Sequence, residues 1–515
     1  MGKYQKIILT AAAFFAAATV FGEIKMSSIF ADNMVLQRDF AVKVWGDAAP
    51  NSTVEVRFRG QKKSATSDDK GAWSIRLDKM PADKTPREMT VSENGKVGKR
   101  IKNILVGEVW ILGGQSNMAW TLEKSDGGDE AAARLKYPDI RYFNQNCRAM
   151  SKTPRKTMYD ASWLELSPEN APKLSAVGVL FAEKLRADLD VPVGLVFTAL
   201  GAAQMVVFIP EEKCATLEYT RGVSENFVKR NATYSYENAM KSYKRKRAQW
   251  EAEREKAKSE NRPHVEKFNH PVPNRYSFLP PFCTPFYVYN AVVAPLAGFG
   301  ARGVLWYQGE SDSADRRLEN FGEQFGLLVS SWREKFDNPD LYFLTVQLAS
   351  YEVAKRDWGL TRWKQYMAAK SLPKCFAVNN VDCGEARDIH PKDKLTVATR
   401  LEKTALREVY GREDVRSRFP SLKEVRYDGG SAVASFAVDS GKLEMRGKPR
   451  GFEAKVGGEW TAANAELCGN AVKISVGNRS AKIDGVRYLW KNWARPDVCL
   501  YDTNGLPAFS FTHEK

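Results

Sequence analysis

The chain has 515 residues, 43% hydrophobic and 27% charged, and its 78 Lys and Arg against 62 Asp and Glu leave a formal charge of +16. That composition excludes a disordered or collagen-like chain, and the length suffices for about three domains at roughly 150 residues each. The positive charge is spread thinly apart from one run, Lys241 to Arg247, so charge alone gives no reason to expect a nucleic-acid partner.

Lys3 and Lys6 precede an apolar run from Ile7 to Phe21, and Val20 and Gly22 stand before a possible cut after Gly22. Residues 1–22 therefore read as a cleavable signal peptide, and the protein is expected to be exported to the periplasm or the extracellular space. The run is short for a spanning helix and no other stretch approaches about 20 apolar residues, so no stable membrane insertion is expected after cleavage. Seven cysteines (147, 214, 283, 375, 383, 468 and 499) form no CxxC pair, which argues against a zinc site or dithiol motif. Export permits disulfides, and the odd count leaves at least one cysteine without an intramolecular partner.

Residues 23–105 read as a β-sandwich-like domain: Val42 to Trp45 and Val54 to Phe58 alternate apolar and polar residues, and Gly71 to Leu77 and Met89 to Val91 continue the short strands. No titratable cluster lies there. From Val106 the texture changes to that of an α/β sheet covered on both faces, over residues 106–420. Strands are expected at Val109 to Leu112, Val193 to Thr198, Gly303 to Trp306, Leu341 to Leu348 and Phe376 to Val378, with helices at Leu174 to Leu185 and Leu318 to Phe336. A charged insertion at about 220–275 carries Tyr236, Met240, Tyr243, Trp250 and Ala257 at helical spacing, which predicts a long helix with a narrow apolar stripe and a solvated basic face. Residues 421–515 return to short alternating strands, as in Ala432 to Phe436 and Val472 to Val476, and form a C-terminal β domain.

A strand that runs through Gly113 and Gly114 into Gln115 and Ser116 can turn sharply and expose the hydroxyl at the carboxyl edge of the sheet. Ser116 is thus a candidate nucleophile, although Met118 stands where a G-x-S-x-G elbow has its second glycine and a serine here would also suit a helix cap. A serine nucleophile needs a base, and the chain has four histidines. His264 and His270 lie in or just after the charged insertion and His513 is near the carboxyl terminus. His390, in Arg387-Asp388-Ile389-His390-Pro391, follows a predicted core strand. Two more segments suit an oxyanion site: Thr198 to Ala203, where small residues follow a strand, and Trp306 to Asp312, where Gln308 offers an amide donor.

Gly107-Glu108-Val109-Trp110 leading into Gly114-Gln115-Ser116-Asn117-Met118, then Trp306-Tyr307-Gln308-Gly309-Glu310-Ser311, then Asp388-Ile389-His390-Pro391 resemble the blocks of the sialate O-acetylesterase family of SGNH hydrolases. Met34 to Arg38, Trp45-Gly46, Val346 to Leu348 and Gly505 to Ala508 extend the resemblance over nearly the whole mature chain. It implies an α/β fold, with an SGNH-type three-layer hydrolase core flanked by N-terminal and C-terminal all-β modules. It further implies a carboxylic ester hydrolase that releases acetate from an O-acetylated carbohydrate, sialic acid first, with no metal or other cofactor. Ser116 would be the nucleophile, His390 the general base, and the N–H groups of Ser116 and Gly201 with the Gln308 side chain would hold the oxyanion.

Two departures from the family pattern matter. The orienting aspartate usually lies three residues before the histidine, where this chain has Arg387, so Asp388 is the expected third member, with Asp382, Glu385 or a Ser-His dyad as alternatives. Ala202 stands where a second glycine is common. A sialate carboxylate would call for a cation, for which Arg387, Arg316 and Arg317 are candidates. Acetylxylan or another acetylated polysaccharide, and non-catalytic carbohydrate binding on the same scaffold, are the competing expectations. Nucleic acid is not expected as a partner, and the oligomeric state is left open.

Overall fold

The computed structural model describes residues 24–264, 267–477 and 481–515, so the expected signal peptide lies outside the described residues. One strand organises the middle of the chain. Lys96–Gly114 (β1) is buried without interruption from Ile104 onward, as befits a strand covered on both faces. Successive side chains point to opposite faces, and accordingly Val109 and Ile111 belong to one apolar cluster while Trp110 and Leu112 belong to another.

Beside it lie Tyr137–Asn144 (β2), Ser162–Leu166 (β3), Val193–Phe197 (β4), Gly303–Tyr307 (β5), Tyr342–Val346 (β6) and Cys375–Val378 (β7), in the order β3-β2-β4-β1-β5-β6-β7. All but β3 run parallel, and β3 pairs antiparallel with β2 at the edge. Helices Ala176–Leu189 and Leu395–Glu408 send Phe181, Leu185, Leu401 and Ala405 into the cluster of Trp110. Helix Phe321–Lys335 sends Phe325, Leu328 and Trp332 into that of Ile111. The chain builds one side of the sheet from β1 through β4 and then crosses β1 to build the other. The crevice at the carboxyl end of β1 is therefore the switch point at which ligands bind in open α/β sheets.

The division expected between residues 105 and 106 falls inside β1. Its first half pairs with Asp83–Glu93, and Thr53–Phe58 and Gln61–Thr66 extend the same sheet, while Val35–Gln37 pairs in parallel with residues 105–107. Val44, Val54 and Trp73 share one apolar cluster with Phe208 and Trp332. The change of texture at Val106 thus marks where burial passes from one face to two, within a continuous strand.

After helix Leu395–Glu408 come sheets that include Ser421–Asp428, Ser431–Ala437, Phe452–Val456 and Ile483–Tyr488 around a third apolar cluster. This region grips the core: fully buried Arg362 donates to the carbonyls of Leu489 (3.1 Å) and Lys491 (2.6 Å). Asn492 donates to the carbonyls of Val353 (2.6 Å) and Arg356 (3.0 Å) and accepts from the Trp358 N–H (2.8 Å). In the insertion, helix Tyr236–Ser259 begins at Ser235, whose hydroxyl accepts from the Asn238 N–H, and Tyr243 and Trp250 rest on Phe268. All seven cysteines are free thiols.

Candidate active site

The turn after β1 depends on glycine. Gly114 has φ +121°, and a Cβ there would lie 2.1 Å from the Tyr307 carbonyl oxygen on the neighbouring strand, so any side chain would drive the strands apart. The Gln115 N–H donates to that same carbonyl at 2.9 Å, and Ser116 opens the short helix Ser116–Ala119. Ser116 Oγ stands 2.9 Å from His390 Nε2. On the other side of the ring, Nδ1 lies 3.3 Å from Asp388 Oδ1, the oxygen that also accepts the His390 N–H at 2.9 Å. Trp120 stacks on the imidazole with ring centres 4.8 Å apart. Burial, aided by the Lys394 and Lys124 charges, holds the His390 pKa below the usual histidine value against the opposing pull of Asp388. At neutral pH the ring is uncharged and free to accept a proton.

Of the carboxylates considered from sequence, Asp388 is the one placed against His390. Asp382 is committed to Arg400 through two 2.7 Å contacts, and Glu385 accepts the Lys392 N–H at 3.2 Å. The other histidines are engaged elsewhere, His264 beside Trp250, His270 beside Phe268 and His513 against Tyr427.

Gly201 approaches the serine closely, since a Cβ on it would lie 3.8 Å from Ser116 Cβ. Its N–H has no protein acceptor among the described residues. Ala202 adopts φ +61°, the left-handed region where a Cβ is strained, and the Ser311 hydroxyl fixes its carbonyl at 2.8 Å. Gln308 departs from expectation. It is fully buried, outside the cleft lining, and its amide donates to the Ala203 carbonyl (3.1 Å) and to Asp312 Oδ2. Both amide protons are thereby used, so Gln308 braces the loop behind Gly201 and is not placed as an oxyanion donor. Gln115 lines the cleft instead, its Oε1 accepting from the N–H groups of Gly309 (3.4 Å) and Ser311 (3.3 Å).

A buried polar cluster that sequence reasoning missed lies beneath the serine. Asn117 donates to Glu310 Oε1 (2.6 Å) and to the carbonyl of Ile389 (3.0 Å), and accepts from Lys394 Nζ (2.7 Å). It ties the nucleophile's turn to the β5 loop and to the residue before His390. Burial pushes the Glu310 carboxyl above the usual carboxylate range and pulls Lys394 down to about 8. The sequence signal was slight: Glu310 and Asn117 sit in the quoted blocks and Lys394 four residues after His390, but nothing in their spacing says that they meet.

Above Ser116 and His390 opens a cleft of about 1180 Å³, walled by Leu200 to Ala202, the proline-rich segment Pro271 to Phe282, Tyr351 and Val353. Among the described residues its arginines are Arg148 and Arg356. The three expected from sequence are elsewhere: Arg387 is exposed outside the lining, and Arg316 and Arg317 border a separate hollow with Glu218 and Tyr219. Arg387 directly precedes the Asp388–His390 block, and Arg316 and Arg317 follow the Gln308 block on the short helix Asp315–Glu319, but none of the three lines the cleft. Among the described residues no group of three or more His, Cys, Asp or Glu is placed to hold a metal ion.

Residues 286–406 match the family model of carbohydrate esterase, sialic acid-specific acetylesterase. The chain is 26% identical to sialate O-acetylesterase of Mus musculus over 95% of its own length and 94% of that protein's. Against the Homo sapiens protein the identity is 23%, over 95% and 92%. A crystal structure of a carbohydrate acetylesterase from Xanthomonas citri superposes with a TM-score of 0.78 at 27% identity, over 96% of this chain and all of that one. Over nearly its full length the chain is thus similar both to the sialate O-acetylesterases and to a solved carbohydrate acetylesterase.

Proposed function

We propose that this carbohydrate O-acetylesterase works through an acetyl-enzyme on Ser116 and that its substrate is O-acetylated sialic acid. His390 Nε2 takes the Ser116 proton as Oγ attacks the acetyl carbonyl, then returns it to the departing sugar hydroxyl. It next activates water to release acetate and restore the serine. Asp388 holds the Nδ1–H tautomer and offsets the charge that His390 acquires. The developing oxyanion is held by the N–H of Gly201 and that of Ser116, a helix-terminal donor without an intrahelical acceptor. The 2.9 Å contact between Ser116 Oγ and His390 Nε2 carries this reading, because it unites nucleophile and base in an open cleft.

The scaffold we infer is an α/β/α sandwich, supported by the two apolar clusters on opposite faces of the sheet. Export is proposed on the basic and apolar pattern of residues 1–22. Cleft size favours a second reading, an acetylated polysaccharide, since about 1180 Å³ exceeds what one sugar fills. The test is acetate release from O-acetylated N-acetylneuraminic acid by the wild type, Ser116→Ala and His390→Ala. Each variant should lose at least about a thousandfold in kcat while remaining folded. Retention of more than about a tenth of the rate would remove the mechanism, being a change of only about 1.4 kcal/mol in the barrier.

A further inference from the structure

Ester cleavage by Ser116 and His390 makes no use of the arginines in the cleft. Arg356 lies in the loop after β6 and is held at both ends. Its carbonyl accepts from Asn492, and its Nη1 donates to the Glu310 carbonyl and to Ser313 Oγ (2.9 Å). Glu310 is in turn bonded to Asn117, the residue after the nucleophile, so the guanidinium is braced on the catalytic framework. Its Nε–H and Nη2–H groups have no protein acceptor, and no carboxylate forms an ion pair with it, among the described residues. Among the described residues Glu310 is the one acidic residue in the cleft lining, and burial pushes its carboxyl toward the neutral form. A guanidinium pre-positioned by its own hydrogen bonds, with the Nε and Nη2 edge open, matches the two oxygens of a carboxylate.

The second arginine stands on the other flank. Arg148 follows β2, two strands from β1 on one side, and Arg356 follows β6, two strands away on the other. Arg148 is exposed and its guanidinium has no hydrogen bond or ion pair among the described residues. It is therefore the less ordered of the two, and fixing it on a ligand would cost more side-chain entropy.

We propose that Arg356 anchors a carboxylate on the acetylated sugar, so that the cleft selects acidic acetylated sugars over neutral ones. The shared chemistry is a carboxylate-bearing sugar, a sialic acid or a uronic acid. This inference rests on the esterase reading of Ser116 and His390 but not on which acidic sugar is used.

The experiment measures acetate release from O-acetylated N-acetylneuraminic acid and its methyl ester, from acetylated galacturonan, and from acetylated xylan. The wild-type enzyme should favour the free acid over its methyl ester by tenfold or more in kcat/KM, a comparison that needs no variant. Arg356→Ala should raise KM for the free acid at least tenfold and reduce that preference to within threefold, and Arg356→Lys should fall between. Activity on galacturonan but not on the sialic acid, with the same dependence on Arg356, would remove sialic acid as substrate and leave the anchor standing. Three results would overturn the anchor: equal rates on free acid and methyl ester, preference for xylan over both acidic substrates, or loss of the preference in Arg148→Ala but not in Arg356→Ala.

Discussion

Lys394 provides a test of how the buried cluster acts on the base. Its Nζ lies 5.7 Å from the centre of the Trp120 ring, which stacks at 4.8 Å on His390, so the charge is within about 10 Å of the imidazole. At that separation and an effective dielectric of about 20, a unit charge is worth roughly 1.7 kcal/mol, or about one pKa unit. The sign follows from like charges. A cation at Lys394 disfavours the imidazolium, so its removal raises the His390 pKa. Lys394 titrates near 8 and is charged throughout the more acidic range in which His390 protonates. Asp388 pulls in the opposite direction, Lys124 adds a smaller push of the same sign as Lys394, and Trp120 contributes burial without charge.

Lys394→Met keeps the side-chain volume and removes the charge. In a profile of kcat/KM against pH with 4-nitrophenyl acetate, its acid limb should move to higher pH by about one unit, because this limb reports the free enzyme's base. One unit below the wild-type limb the variant then loses a further several-fold in rate. Lys394→Arg, if folded, should leave the limb close to its wild-type place. A lower plateau with an unmoved limb would show that Lys394 only holds Asn117. A limb displaced to lower pH would contradict the sign of the argument.

Asp388→Asn should cost between about tenfold and a thousandfold in kcat, less than a fully buried triad aspartate, because the Asp388 side chain is 41% exposed and its contact with Nδ1 is a long 3.3 Å; a loss under threefold would favour a dyad. Gln308→Ala should lower stability by about 1–3 kcal/mol by stripping a partner from buried Asp312, measured by denaturant unfolding. If it instead removed about a hundredfold or more of kcat from a fully stable protein, Gln308 would be restored as an oxyanion donor. Ala202→Gly should stabilise by less than about 1 kcal/mol, since relief of the left-handed alanine is partly offset by the entropy of the unfolded glycine, and a clear fall in melting temperature would contradict this.

The fold was legible where burial is two-sided and the apolar run unbroken. Val193 to Phe197 and Gly303 to Trp306 announce themselves as strands because every residue in them is apolar or glycine. Tyr137–Asn144 went unseen although it is a core strand, because Pro138, Asp139 and Arg141 break the pattern. Arg141 is buried there by bonding to the Pro138 carbonyl and to Glu165 on the edge strand, a pairing visible only once the sheet is assembled. Helix Leu395–Glu408 was likewise hidden by buried Arg400 and Glu402, whose burial depends on tertiary contacts such as the Asp382 pair.

At the site the same distinction decides what could be foreseen. Elimination among four histidines leads to His390, and glycine beside serine leads to Ser116, because both arguments use residue chemistry that survives outside the fold. Gln308 misled for the opposite reason. An amide at the end of a strand has donors to offer, but which way they point depends on Asp312 and the Ala203 carbonyl, one four residues along and the other on a different loop. Arg356 was overlooked although it is the better-braced cation in the cleft. What recruits it is Asn492, more than a hundred residues away in the C-terminal region. This gives that region a role in substrate choice that its own sequence does not suggest: Asn492→Ala should free the loop that carries Arg356 and weaken selection of acidic sugars, while the Ser116–His390 pair, which Asn492 does not touch, keeps its geometry. A loss of kcat on acidic and neutral acetyl esters alike would show that the C-terminal contact supports the whole site and not the arginine's loop alone.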